Sequence, residues 1–66
     1  MQRDFDPLEL ARIVRPTEAS RITGVSEKTL ANYRWMQIGP RWIRMSRRAV
    51  GYRLRDLLDW LVEKEV

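Results

Sequence analysis

The sequence predicts a small, mainly α-helical domain with one short β-hairpin. Apolar residues recur at helical spacing before residue 36 and after residue 53, whereas between residues 41 and 53 they alternate with a period of two. Turn signals containing glycine or serine separate these stretches. A chain of 66 residues is long enough for one domain, and its core is expected to be marginal.

The first 14 residues are interpreted as an N-terminal segment that precedes the main domain, residues 15–66. In this segment Asp6 can cap a short helix, and Pro7 suits the first helical position. A helix of about two turns rarely persists in water without packing, so we expect it to be docked or frayed.

Two short helices follow, joined by a tight turn. The first begins at Pro16 and stops at Gly24, where glycine permits the left-handed backbone that such a turn needs. Ser26 can accept hydrogen bonds from the free N–H groups of the second helix, which is expected to run from Glu27 to Trp35. Together they predict a helix-turn-helix unit.

The Gly39-Pro40 pair ends the second helix in this interpretation and opens a two-stranded hairpin with an arginine-rich tip. A final amphipathic helix is predicted over Leu54–Lys64, where leucines recur at helical spacing. The order of elements is that of a winged helix-turn-helix: a helix-turn-helix, a two-stranded wing and a C-terminal helix.

The positive charge is concentrated in the middle of the chain. The net charge is +4, but residues 28–55 contain no acid and carry +8, whereas the flanking parts carry −1 and −3. We call residues 28–55 the central basic block. Such a block is expected for a protein that binds nucleic acid; the alternative is a solvated basic face without a partner.

Several function classes are excluded or disfavoured by composition. The chain has neither Cys nor His, so disulfides, thiol catalysis and zinc-finger sites are not expected. Without His, acid–base catalysis would need a strongly shifted carboxylate or lysine. We therefore expect no enzyme activity, no catalytic residue, no metal and no cofactor. The N-terminal residues lack the apolar stretch of a signal peptide, and no segment predicts a membrane span.

Short motifs occur in a characteristic order over residues 14–62: Pro16-Thr17-Glu18-Ala19, Gly24-Val25-Ser26, Thr29-Leu30, Tyr33, Gly39-Pro40, Arg44, Arg47-Arg48, Tyr52-Arg53, Asp56-Leu57 and Trp60-Leu61. This ordered set resembles the small excisionase-like helix-turn-helix family, which includes phage excisionases and AlpA-type regulators and is related to MerR-type DNA-binding domains. The resemblance implies a second helix in the major groove and a wing against the adjacent minor groove or backbone.

The sequence departs from the usual family pattern at three places. Arg15 stands where a Thr or Ser usually caps the first helix, Ala31 replaces a frequent basic residue, and Ser46-Arg47 replaces a common Gly-Gly at the wing tip. The first departure concerns stability, and the other two concern which side chains contact DNA.

The central basic block and the resemblance together suggest a set of DNA-binding residues. Lys28 suits phosphate or guanine, Thr29 a phosphate or thymine methyl group, and Asn32 adenine. The wing arginines suit a narrow minor groove or phosphates. The full set is Ser26, Lys28, Thr29, Asn32, Arg34, Arg41, Arg44, Arg47, Arg48 and Arg53. The alternatives are that Thr29 and Asn32 are merely solvated, and that Arg53 and Arg55 pair with acids of the last helix.

Six aromatic residues are better explained by packing than by stacking on single strands. Trp60 and Tyr52 are expected in the core, while Trp35 and Trp42 are expected to be partly exposed.

The function predicted from these features is sequence-specific binding of double-stranded DNA by an excisionase that bends DNA and directs an integrase towards excision. Partners would be DNA, the integrase and neighbouring copies of the chain, with no membrane and no small-molecule ligand. The expected location is the cytoplasm of a bacterial cell, at the nucleoid. The alternatives are an AlpA-like transcription regulator and a protein-interaction module that docks on an integrase.

Overall fold

A computed structural model describes residues 6–64, so predictions for residues 1–5 and 65–66 lie outside the described part. The described elements, in chain order, are α1 Pro7–Leu10, β1 Ile13–Val14, α2 Pro16–Thr23, α3 Glu27–Met36, β2 Ile43–Arg44, β3 Val50–Arg53 and α4 Leu54–Lys64. This order confirms the mainly helical, winged helix-turn-helix fold. None of the helices between residues 6 and 64 combines the length and apolar character that crossing a bilayer requires.

The N-terminal helix α1 has the expected cap. Asp6 Oδ1 accepts a hydrogen bond from the Leu8 backbone N–H at 3.0 Å, and Pro7 occupies the first helical position. α1 buries none of its own residues, but it contacts α4. Of the two expectations for this helix, docked or frayed, the structure shows the first: α1 is docked on the C-terminal helix.

The ends of α2 and α3 follow from local sequence. Arg15 at the cap of α2 makes no side-chain hydrogen bond to the helix, in agreement with the weak cap expected there. Gly24 ends α2 with φ of 76°, and its N–H donates to Ser20 O at 2.9 Å. α3 ends at Met36, one residue later than predicted, because Gln37 takes the left-handed conformation before Gly39 is reached.

The sheet has three antiparallel strands in the order β1-β3-β2. The pair β2 and β3 is the predicted wing, whereas β1 was not predicted from the sequence. Val14 of β1 lies opposite Tyr52, and Arg12 O accepts a hydrogen bond from Leu54 N at 2.9 Å. Residues 13–14 therefore belong to the sheet, and packing continues across the division predicted after residue 14.

The core lies where α2, α3 and α4 meet the inner face of the sheet. Its fully buried side chains come from β1, α2, α3, β3 and α4, and burying one such leucine contributes about 1.5–3 kcal/mol. Tyr52 is in the core as predicted, while Trp60 is half-buried and packs edge-on against Tyr33, with ring centroids 6.3 Å apart. The central cluster comprises Val14, Ala19, Leu30, Tyr52 and Leu57.

The two faces of the sheet differ in what covers them. Val14 and Tyr52 lie on the face that packs against the helices. A side chain at position 51 would lie on the opposite face, where Ile13 and Met45 are next to Gly51. Met45 is 48% exposed, so this outer face is open to solvent at the wing.

Candidate nucleic-acid interface

The start of α3 is held by a reciprocal contact between Ser26 and Thr29. The Ser26 hydroxyl accepts a hydrogen bond from the Thr29 backbone N–H at 3.1 Å and donates to Thr29 Oγ1 at 2.9 Å. Because Thr29 Oγ1 is the acceptor, its own hydroxyl hydrogen remains available to a ligand oxygen. The Ser26 side chain therefore caps α3. The Thr29 hydroxyl, held in place by this cap, can still donate its own hydrogen.

The outer face of α3 carries a stripe of exposed side chains opposite the buried Leu30. Lys28, Asn32 and Trp35 are all exposed and recur at spacings of four and three residues, which places them on one side of the helix. Trp35 is 85% exposed, although indole rings are usually largely covered. We call these three residues and Ala31 the α3 stripe.

Trp35 was not among the predicted DNA-binding residues. Its spacing from Asn32 and Lys28 was the available sequence signal, because a residue seven positions after another lies on the same side of a helix. Its aromatic character favoured an interpretation as packing. In the structure Trp35 belongs to the exposed α3 stripe.

Arg34 points away from the α3 stripe and towards the sheet. Its Nη1 donates a hydrogen bond to the Tyr52 hydroxyl, and its Cζ lies 5.8 Å from the Tyr52 ring centroid. Arg34 is half-buried. The guanidinium is therefore engaged within the protein, between α3 and the central strand β3.

The wing loop between β2 and β3 is closed by backbone and side-chain hydrogen bonds. Ala49 O accepts from Met45 N at 2.8 Å and from Ser46 N at 3.2 Å. Arg44 Nη1 donates to Arg47 O at 3.3 Å, while its Cζ lies 5.6 Å from the Trp42 ring centroid. Arg44 is thus held across the loop, on an aromatic face.

Arg47 and Arg48 form the wing tip, and both side chains are exposed. These two exposed side chains extend into solvent from a loop whose backbone Arg44 holds through its hydrogen bond to Arg47 O. An exposed arginine on an ordered hairpin suits a minor groove or a bidentate phosphate contact.

No ion pair between described residues neutralises the positive charge of the central basic block. Within residues 6–64 the only ion pair is Arg12–Glu18, with Arg12 Nη2 3.2 Å from Glu18 Oε2, and it lies outside the block. In that part of the chain, Arg53 and Arg55 make no ion pair with the acids of α4, which was the alternative considered for them. The block therefore keeps its charge available to a polyanion.

The structure groups the predicted residues into separate places. The α3 stripe and the helix start hold Lys28, Thr29, Asn32 and Ser26, and the wing holds Arg44, Arg47 and Arg48. Arg41 lines a cleft of about 320 Å³ beside the α4 acids Asp56, Asp59 and Glu63. Arg53 is exposed at the end of β3 opposite Ile13 and so lies away from the wing tip.

A helix-turn-helix followed by a basic two-stranded wing defines the winged helix-turn-helix class of DNA-binding proteins. A family model described as "Prophage CP4-57 regulatory protein (AlpA)" matches residues 12–65, which include β1, the helix-turn-helix, the wing and α4. The chain belongs to this AlpA family of DNA-binding regulatory proteins. No curated protein and no solved structure matches the chain.

Proposed function

We propose that the chain binds double-stranded DNA at specific sequences, with α3 in the major groove and the wing against the neighbouring minor groove or backbone. The observation that carries this proposal is that no residue of the central basic block forms an ion pair within residues 6–64, and that the block includes residues 28–36 of α3 together with the wing tip. A major groove is wide enough to admit an α-helix and presents a distinct pattern for each base pair.

The contacts we propose follow from side-chain chemistry. Lys28 binds a phosphate or guanine, Thr29 donates its hydroxyl to a phosphate, and Asn32 contacts adenine. Arg47 and Arg48 bind phosphates or enter the minor groove, while Arg44 holds the loop that presents them. The protein acts by binding and carries out no catalytic step.

Two biological roles use the same surface. In the first, the chain is an excisionase: copies bind neighbouring sites, bend the DNA and direct an integrase towards excision. In the second, it regulates transcription at a promoter. The second role is supported by the match to a family model that is described as a prophage regulatory protein.

A footprint on DNA from the gene's own neighbourhood tests sequence-specific binding. The expected result is protection of one or more short segments by the wild-type chain, and weaker protection by a chain carrying Arg47→Ala and Arg48→Ala. Equal affinity for these segments and for scrambled DNA of the same composition would contradict the proposal.

Deleting the gene separates the two roles. Loss of excised circles with unchanged transcript levels supports the excisionase role, and changed transcripts with unchanged excision support the regulator. The position of the footprint gives a second readout, because an attachment sequence and a promoter are separate targets.

A further inference from the structure

The guanidinium of Arg34 joins α3 to the wing strand β3. It donates to the Tyr52 hydroxyl and lies over the Tyr52 ring, 5.8 Å from Cζ to the centroid. Arg34 and Asn32 lie two residues apart on α3. A movement of the helix at Arg34 therefore also moves the α3 stripe, which is proposed to contact DNA bases.

Tyr52 is a fixed point for this contact. It is fully buried and sits in the central strand, opposite Val14 of β1. The same strand carries Val50, which pairs with Arg44, and Arg44 in turn binds the wing-loop carbonyl of Arg47. A continuous series of contacts therefore runs from α3 to the wing tip.

The other contact between α3 and the sheet is apolar, because Leu30 lies in the same buried cluster as Val14 and Tyr52. α3 packs closely on α2, and none of the other described elements makes comparably extensive contacts with it. Among residues 6–64, the Arg34 to Tyr52 bond is the side-chain hydrogen bond that connects α3 to the sheet. Besides the apolar packing of Leu30 in the core, one polar contact therefore links α3 to the wing.

Resting on the DNA-binding function proposed above, we propose that Arg34 is a positioning residue: it sets the orientation of α3 relative to the wing and does not itself contact DNA. An arginine suits this task because its planar guanidinium can stack on a ring and donate a directed hydrogen bond at the same time. A lysine at this position keeps the charge but loses the planar stacking.

The test uses Arg34→Met, Tyr52→Phe and a chain carrying both, with Arg34→Lys as the variant that keeps the charge. Arg34→Met and Tyr52→Phe should each lower affinity for the footprinted DNA by about tenfold, as expected for losing one hydrogen bond to a charged group. The chain carrying both should lower it little further, because both substitutions remove the same contact. Arg34→Lys should also lower affinity, because it loses the planar stacking on Tyr52. Arg21→Met, which removes an exposed arginine of α2, is the control for loss of one positive charge.

A second cycle separates positioning from a phosphate contact. The wing-tip substitutions Arg47→Ala and Arg48→Ala should cost less affinity when Arg34 is already Met, because a misoriented wing no longer reaches its site. If the affinity losses of the wing-tip substitutions and of Arg34→Met are additive, Arg34 has its own DNA contact, and the proposal is overturned. Wild-type protein that shows no preference for the footprinted DNA would instead overturn the proposed function.

A measurement without DNA completes the test and detects unfolded variants. Residual dipolar couplings of α3 and β3 amides in the free protein report the angle between the two elements. We expect this angle to change in Arg34→Lys and in the Arg34→Met and Tyr52→Phe chain, while thermal unfolding stays cooperative. Replacing both partners by apolar groups leaves no buried hydroxyl unsatisfied, so that chain should fold. An unchanged angle would overturn the proposal.

Discussion

Gly51 on β3 lies so close to Ile13 on β1 that a Cβ at position 51 would be 2.6 Å from Ile13 Cγ2. Such an approach requires a residue without a side chain in the central strand. We expect Gly51→Ala to lower the free energy of unfolding by about 1–3 kcal/mol, through overpacking between β1 and β3. Urea unfolding followed by circular dichroism measures this change.

A second substitution identifies the cause of that loss. Ile13→Ala removes Cγ2, so the chain carrying both Gly51→Ala and Ile13→Ala should be more stable than the sum of the two single losses allows. Gly24→Ala is a useful comparison, because a Cβ added at position 24 would have no neighbouring atom within 4 Å. The only cost there is that of an alanine with positive φ, about 1 kcal/mol. Strictly additive losses for Gly51 and Ile13 would contradict the steric explanation.

The wing tip should contribute affinity without sequence preference. Neutralising about five phosphates gives a slope of log affinity against log salt near −4.5, and removing two contacts with Arg47→Ala and Arg48→Ala should reduce its magnitude by about 1.8. Fluorescence anisotropy over a salt series measures both slopes. A loss confined to one DNA sequence, or an unchanged slope, would show that these arginines do not bind phosphates.

Asn32 should determine preference at one base pair. It is exposed on the α3 stripe, so Asn32→Ala should change the free energy of unfolding by no more than about 0.5 kcal/mol. Loss of a bidentate contact to adenine should remove about 1–3 kcal/mol of discrimination at that position. Selection of binding sites from a random DNA library compares the two proteins, and identical selected sequences would exclude Asn32 as a base-reading residue.

Trp35 should matter for DNA binding and not for stability. With 85% of its surface exposed, Trp35→Ala should leave thermal unfolding nearly unchanged but weaken specific DNA binding about tenfold, because its ring adds apolar contact to the α3 stripe. Leu8→Ala is a matched control, since Leu8 is an apolar residue 82% exposed on α1. Equal, small effects of the two substitutions on DNA affinity would place Trp35 outside the interface.

Local signals were enough to predict the helices. Proline at the first position of α2, the Ser26 cap of α3 and the leucine repeat of α4 all act within a few residues of the element they define. The same applies to the turn at Gly24, whose left-handed backbone was expected from the residue type. The winged helix-turn-helix order could be predicted because each of its parts has such a signal.

Long-range features were not available from the sequence. β1 has only two residues, too few for a periodic pattern. It forms because Val14 pairs with Tyr52, which lies far away in the sequence. The engagement of Arg34 by Tyr52 likewise joins positions 18 residues apart. Alternation in the hairpin shows which residues share a face, but which face is covered depends on where the helices lie.

The short strand β1 also has a consequence for how the protein folds. α2 and α3 are adjacent in sequence and can associate through a short turn, whereas pairing Ile13 with Arg53 closes a loop of about 40 residues and carries its entropic cost. The helix-turn-helix is therefore expected to form before β1 joins β3. The pairing of β1 with β3 then completes the sheet, and we expect this long-range pairing to be the last part of the fold to form.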